Sequence, residues 1–111
     1  MTDDLVESSM NFDLENVRPF LLRIAPLITS GFGDHEIDQV LGLVKSMKHD
    51  EEEEITFTIV HRGRRSAFRI HIFMDDIDSP DIAFFGPPDL ARQIDAEMDK
   101  FWEEIGTQDS P

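Results

Sequence analysis

The chain has 111 residues, 24 of them acidic and 10 basic, giving a net charge of -14 with histidine neutral. This length suits one domain, and a hydrophobic content of 40% with nine phenylalanines is too rich for a disordered chain. The absence of cysteine excludes disulfides, zinc–thiolate sites, iron–sulfur clusters and a cysteine nucleophile.

The acidic excess repels phosphate backbones and anionic lipid surfaces, so direct nucleic-acid or membrane binding is not expected, and a basic protein partner is favoured. The same charge also serves solubility. The sequence starts Met1-Thr2-Asp3-Asp4-Leu5, where a secretory signal would carry lysine or arginine. No apolar run approaches the roughly 18 residues needed to span a bilayer. The expected compartment is the cytoplasm.

Residues 1–12 lack a clear period and read as a flexible N-terminal arm. From Asp13 onward, Leu14, Val17, Phe20, Leu21, Ile24, Leu27 and Ile28 recur at three- and four-residue steps, which predicts an amphipathic helix. Asn16 is the candidate cap, Pro19 falls in the first turn, and Pro26 is expected to kink or end the helix. Ser30 to Asp34, with Gly31 and Gly33, is a break. A second helix follows on the stripe Ile37, Val40, Leu41, Val44 and Met47, with Glu36 and Asp38 near its N-terminus and Lys45 and Lys48 near its C-terminus.

After the acidic run Asp50 to Glu54 the period changes to two. Ile55, Phe57 and Ile59 alternate with Thr56, Thr58 and Val60, and Phe68, Ile70 and Ile72 alternate with Ala67, Arg69, His71 and Phe73. These segments predict a hairpin turning at Gly63-Arg64, with Arg62 opposite Arg65, Ile59 opposite Phe68 and Glu53 opposite Met74. That register puts both apolar sets on one face, and a one-residue slip would not. Asp75 to Asp81 reads as a polar loop, Ile82 to Phe85 as a short third strand, and Leu90, Ile94, Met98, Phe101 and Ile105 as the stripe of a last helix ending at Gly106. Residues 107–111 read as a disordered tail.

The element order is therefore α-α-β-β-β-α within a single domain, 13–106. Burying three apolar stripes calls for an α+β two-layer sandwich, in which a three-stranded antiparallel sheet carries its helices on one face.

Four features could carry function. The hairpin tip gathers His61, Arg62, Arg64 and Arg65, with Arg69 further along. These arginines either fork onto a partner's carboxylates or phosphates or pair with the chain's own acids. The outer hairpin face bears Arg69, His71 and Phe73 beside threonines and offers a contact surface for a partner or a second copy, unless the N-terminal arm or a helix covers it. Trp102, beside the last helix's core stripe, is either a binding anchor or a boundary residue packed on the first helix.

At the other end of the hairpin, Glu51, Glu52, Glu53 and Glu54 approach Asp75, Asp76 and Asp78, forming an acidic surface. This spacing lacks the glycine and terminal glutamate of a calcium loop, and the four histidines have no metal-ligand spacing, so no metal or cofactor is expected. No Ser/His/Asp constellation or complete glycine-rich dinucleotide motif occurs, and no catalytic residue is assigned. The leading expectation is a non-enzymatic acidic protein-interaction module, an adaptor, small regulator or inhibitor, binding a protein partner through its acidic surface and an exposed sheet face or edge. The alternatives are a nucleic-acid mimic that blocks a basic protein, and a small enzyme or divalent-metal binder whose residues converge only in three dimensions.

Overall fold

A computed structural model of the chain describes residues 5–108. In chain order it comprises β1 (Val6–Asn11), α1 (Val17–Ile24), α2 (Asp34–Ser46), β2 (Glu52–His61), β3 (Arg64–Asp76), β4 (Ser79–Gly86) and α3 (Pro88–Gln108), with short 3-10 turns at Leu14–Asn16 and Ala25–Leu27. The sheet is antiparallel, in the order β1-β4-β3-β2. The class is α+β as the periodicities imply, but the sheet has four strands where three were expected.

The additional strand lies within the stretch that reads as an arm. Val6–Asn11 pairs with β4 through Ser8↔Phe84 and Met10↔Ile82. Its one fully buried position is Ser8, at 2% exposure, so the strand has no apolar alternation to betray it. Ser8 is satisfied by α3: its hydroxyl lies 2.9 Å from the Ala91 carbonyl and 2.7 Å from an Asp95 carboxylate oxygen. With one proton to give, it donates to one acceptor at a time.

In the first helical segment, Pro19 is the third residue of α1, where a backbone donor has no intrahelical partner, and Pro26 lies in the 3-10 turn that ends the helix. Val17, Phe20, Leu21 and Ile24 of α1 are buried, as are Ile37, Val40 and Val44 of α2. Gly33 caps α2, and the Glu36 carboxylate accepts the Gly33 N–H at 2.7 Å. α3 continues past Gly106 to Gln108. The expected tail beyond that point, and the first four residues of the expected arm, lie outside the described residues.

The hairpin register differs from expectation by two residues. Ile59 faces Ser66, Phe57 faces Phe68, Glu53 faces Ile72, and His61 faces Arg64. The loop is therefore Arg62-Gly63, and both residues have positive φ, 52° and 77°, as a type I′ turn requires. A two-residue slip keeps every side chain on its face, so the apolar pattern alone cannot distinguish the two registers. The Asp75 to Asp81 segment is likewise a second hairpin, with Asp76 opposite Ser79 and an irregularity between Phe73 and Asp76.

All three helices lie on one face of the sheet. Between the layers, Phe57, Ile59, Phe68, Ile70, Ile72, Met74, Ile82 and Phe84 meet the helical stripes. Phe20 and Phe84 each meet three other rings; the Phe20 centroid lies 5.0 Å from Phe12, 5.8 Å from Phe84 and 5.4 Å from Phe101. Burying each large apolar side chain stabilises by roughly 1.5–3 kcal/mol, against about 0–1 kcal/mol for an exposed ion pair. The core, not the surface charge pattern, holds this fold.

Candidate functional site

The sheet face opposite the helices carries no other described element. Its cross-strand rows follow from the register: Glu7, Phe85, Arg69 and Thr56 form one, Ser9, Ala83, His71 and Glu54 the next, and Asn11, Asp81, Phe73 and Glu52 a third. The expected outer face containing Arg69, His71 and Phe73 therefore exists and is wider than the hairpin. Phe85, Ala83 and the polar β1 residues were not anticipated, because β1 itself carried no periodic signal.

This face is a network, not a row of independent charges. The Arg69 guanidinium lies 5.3 Å from the Phe85 ring centroid and 3.9 Å from a Glu54 carboxylate oxygen. His71 Nε2 is 3.0 Å from Glu52 Oε1. The Asn11 amide donates to the Ser79 carbonyl and to Asp81, both at 2.8 Å. Glutamates 52 and 54 therefore connect the acidic end to Arg69 and His71 of the open face.

The tip residues separate. His61 is buried at 6% exposure, its Nδ1–H donating to the Leu27 carbonyl at 2.9 Å, and so is not part of the exposed tip. Arg62 turns toward α3, where Nη1 is 3.2 Å from Asp89. A hydrogen bond from Arg92 is the main cause holding the Asp89 carboxyl below its ordinary range, with the Arg62 charge adding to it. Arg64 and Arg65 are exposed and have no ion-pair partner among the described residues. They are the tip charges available to a partner.

At the opposite end, the Asp50 N–H donates to the Met74 carbonyl and the Met74 N–H to the Glu51 carbonyl, bringing Glu51 to Glu54 alongside Asp75 and Asp76. The Asp78 N–H donates to the Asp76 carboxylate at 3.2 Å, within the β3–β4 turn. Nine residue steps of β2 separate this end from the arginine tip, about 30 Å at strand rise. Among the described residues no group of three or more His, Asp or Glu side chains converges as metal ligands.

Trp102 is 64% exposed and stands on α3 beside β1, not against α1. The side chain bridging α1 to α3 is Arg23, 2.6 Å from Glu97 and 2.7 Å from Glu104, with its guanidinium 5.9 Å from the Phe101 ring centroid. Glu104 and then Glu97 push the Arg23 pKa further up, and the Arg23 hydrogen bond draws Glu104 below its ordinary value. Among the described residues no helix is long and apolar enough to cross a membrane. Comparison with protein-family models, with curated proteins and with solved structures finds no match.

Proposed function

We propose that this chain is a non-enzymatic protein-binding module, which engages a basic protein partner through its acidic surface and the uncovered side of its sheet. The observation that carries the reading is the one-sided helix layer: it leaves the half-buried Phe73 and Phe85 on a face that also bears charged groups. Such a mixed surface offers apolar area for desolvation and charges for orientation. The net charge of -14 adds long-range attraction for a cationic partner.

The test is cross-linking in lysate of the source organism at low and at moderate salt, with the native chain and with Ala83→Arg, which places a bulky cation at the centre of the open face. Recovery of one defined partner that weakens with salt is the expected result. Recovery of no specific partner at either salt overturns the reading.

A further inference from the structure

The sheet has two outer edges, and they differ. On β2, the Val60 N–H and C=O bond to Ser30, and Thr29 N–H also donates to the Val60 carbonyl. By strand alternation, the β2 groups pointing outward belong to Val60, Thr58, Thr56, Glu54 and Glu52. Gly31 packs directly against the Thr58 carbonyl, and the far half carries the glutamate run. This edge is covered at one end and guarded by like charge at the other.

β1 has neither protection. Phe12 N–H donates to the Pro80 carbonyl, in line with the β1–β4 register, so the N–H and C=O groups of Glu7, Ser9 and Asn11 point away from the sheet. Among the described residues no strand or loop pairs with them. The strand holds one charged residue, Glu7, and no proline. Alongside this edge runs an open groove of about 690 Å³ between β1 and α3, with Met10, Met98 and Trp102 as its apolar part and Asp95 and Asp99 on its rim.

We infer that the β1 edge and the Trp102 groove form a docking site for an extended, basic segment of a partner protein, which adds as a fifth strand. This rests on the protein-binding reading above and names the site and the chemistry of its ligand. A strand about 4.8 Å beyond β1 lies beneath the Asp95–Trp102 side of α3. Its backbone completes the outward bonds of Glu7, Ser9 and Asn11, and its alternate side chains reach the groove. An apolar residue there covers Trp102 and Met10, and lysines or arginines two positions away, on the same side of the strand, meet Asp95 and Asp99. A second copy is disfavoured as occupant, because two-fold pairing of β1 with itself sets the acidic side of one α3 against its equal.

Trp102 is the only tryptophan and the chain has no tyrosine, so intrinsic emission reports on this groove alone. The probe, the Lys-Val peptide, is an end-capped Lys-Thr-Val-Thr-Lys-Thr-Val-Thr octapeptide, whose lysines and valines share one side of the strand; the Glu-Val and Lys-Gly peptides, with Glu for each Lys or Gly for each Val, are the controls. The Lys-Val peptide is expected to shift Trp102 emission and to slow amide exchange at Glu7, Ser9 and Asn11. Ser9→Pro removes an outward N–H together with a hydroxyl that lines the groove, a change an edge strand tolerates, and is expected to weaken binding about tenfold. Asp99→Lys, which leaves the strand untouched, weakens it as well.

Equal binding of the Lys-Gly peptide, unchanged exchange at the three amides, or a β1-dependent dimer of the free chain overturns the inference. If the native chain captures a partner and Ser9→Pro retains it while Ala83→Arg loses it, the edge site fails and the protein-binding reading stands.

Discussion

Gly31 and Gly63 both have positive φ, 96° and 77°, yet they answer to different physics. A Cβ on Gly31 would lie 2.4 Å from the Thr58 carbonyl oxygen and 2.8 Å from Ile59 Cα, whereas one on Gly63 meets nothing within 4 Å. Gly31→Ala therefore combines left-handed strain with a backbone collision and is expected to cost about 2–4 kcal/mol, against about 1 kcal/mol for Gly63→Ala. Urea denaturation of the two variants checks the ranking, and equal losses would contradict it. The sequence marks both glycines as breaks, but only the packed chain shows that one is a close approach.

Also at the residue scale, Glu104 and Asp89 titrate lower folded than unfolded, through Arg23 and Arg92 respectively. Their stabilisation is complete above the ordinary carboxylate values of 4.5 and 3.8 and disappears as pH falls through the depressed ones. Glu104→Gln is expected to flatten the acid limb of a thermal-stability profile below about pH 4.5. An unchanged limb would mean that Arg23 does not hold Glu104 in solution.

At the scale of elements, the β2–β3 turn is the most informative. Arg62 sits at φ 52°, a conformation costly for arginine and accessible to asparagine. Arg62→Asn creates the Asn-Gly pair that type I′ turns favour and is expected to stabilise the chain by about 0.5–1 kcal/mol, net of its exposed pair with Asp89. Calorimetric melting decides this, because with the loop at Gly63-Arg64 the same change would bring no gain. The strands' existence and inward faces were legible from Phe57, Ile59, Phe68 and Ile70, whose alternation is local. Their exact pairing was not, because a slip of two residues preserves that alternation.

For the whole molecule, the dominant electrostatic fact is the charge of -14 on 111 residues. Its self-repulsion acts over distances comparable to a Debye length, about 8 Å at physiological salt. The ion pairs that salt would also weaken are mostly exposed, as in Arg18–Asp38 at 57% and 64% exposure, and contribute about 0–1 kcal/mol each. Repulsion therefore outweighs the pairs, and moderate sodium chloride is expected to raise the melting temperature at neutral pH. A fall on adding salt would show that the Arg23 and hairpin pairs prevail instead.

The sequence by itself determined the α+β class, the three helical stripes, the inward face of the hairpin and the separation of acidic end from arginine tip. Each depends on spacing along the chain, where the 3.6 and 2 residue periods of backbone geometry operate directly. Only the tertiary structure decided that Val6–Asn11 is a strand, that His61 is buried, that Arg62 turns to Asp89 and that Trp102 borders an open edge. Those depend on partners far away in sequence: Ser8 is held by Ala91 and Asp95 of α3, and His61 by the carbonyl of Leu27. A polar residue buried through a distant hydrogen bond leaves no period in its own neighbourhood.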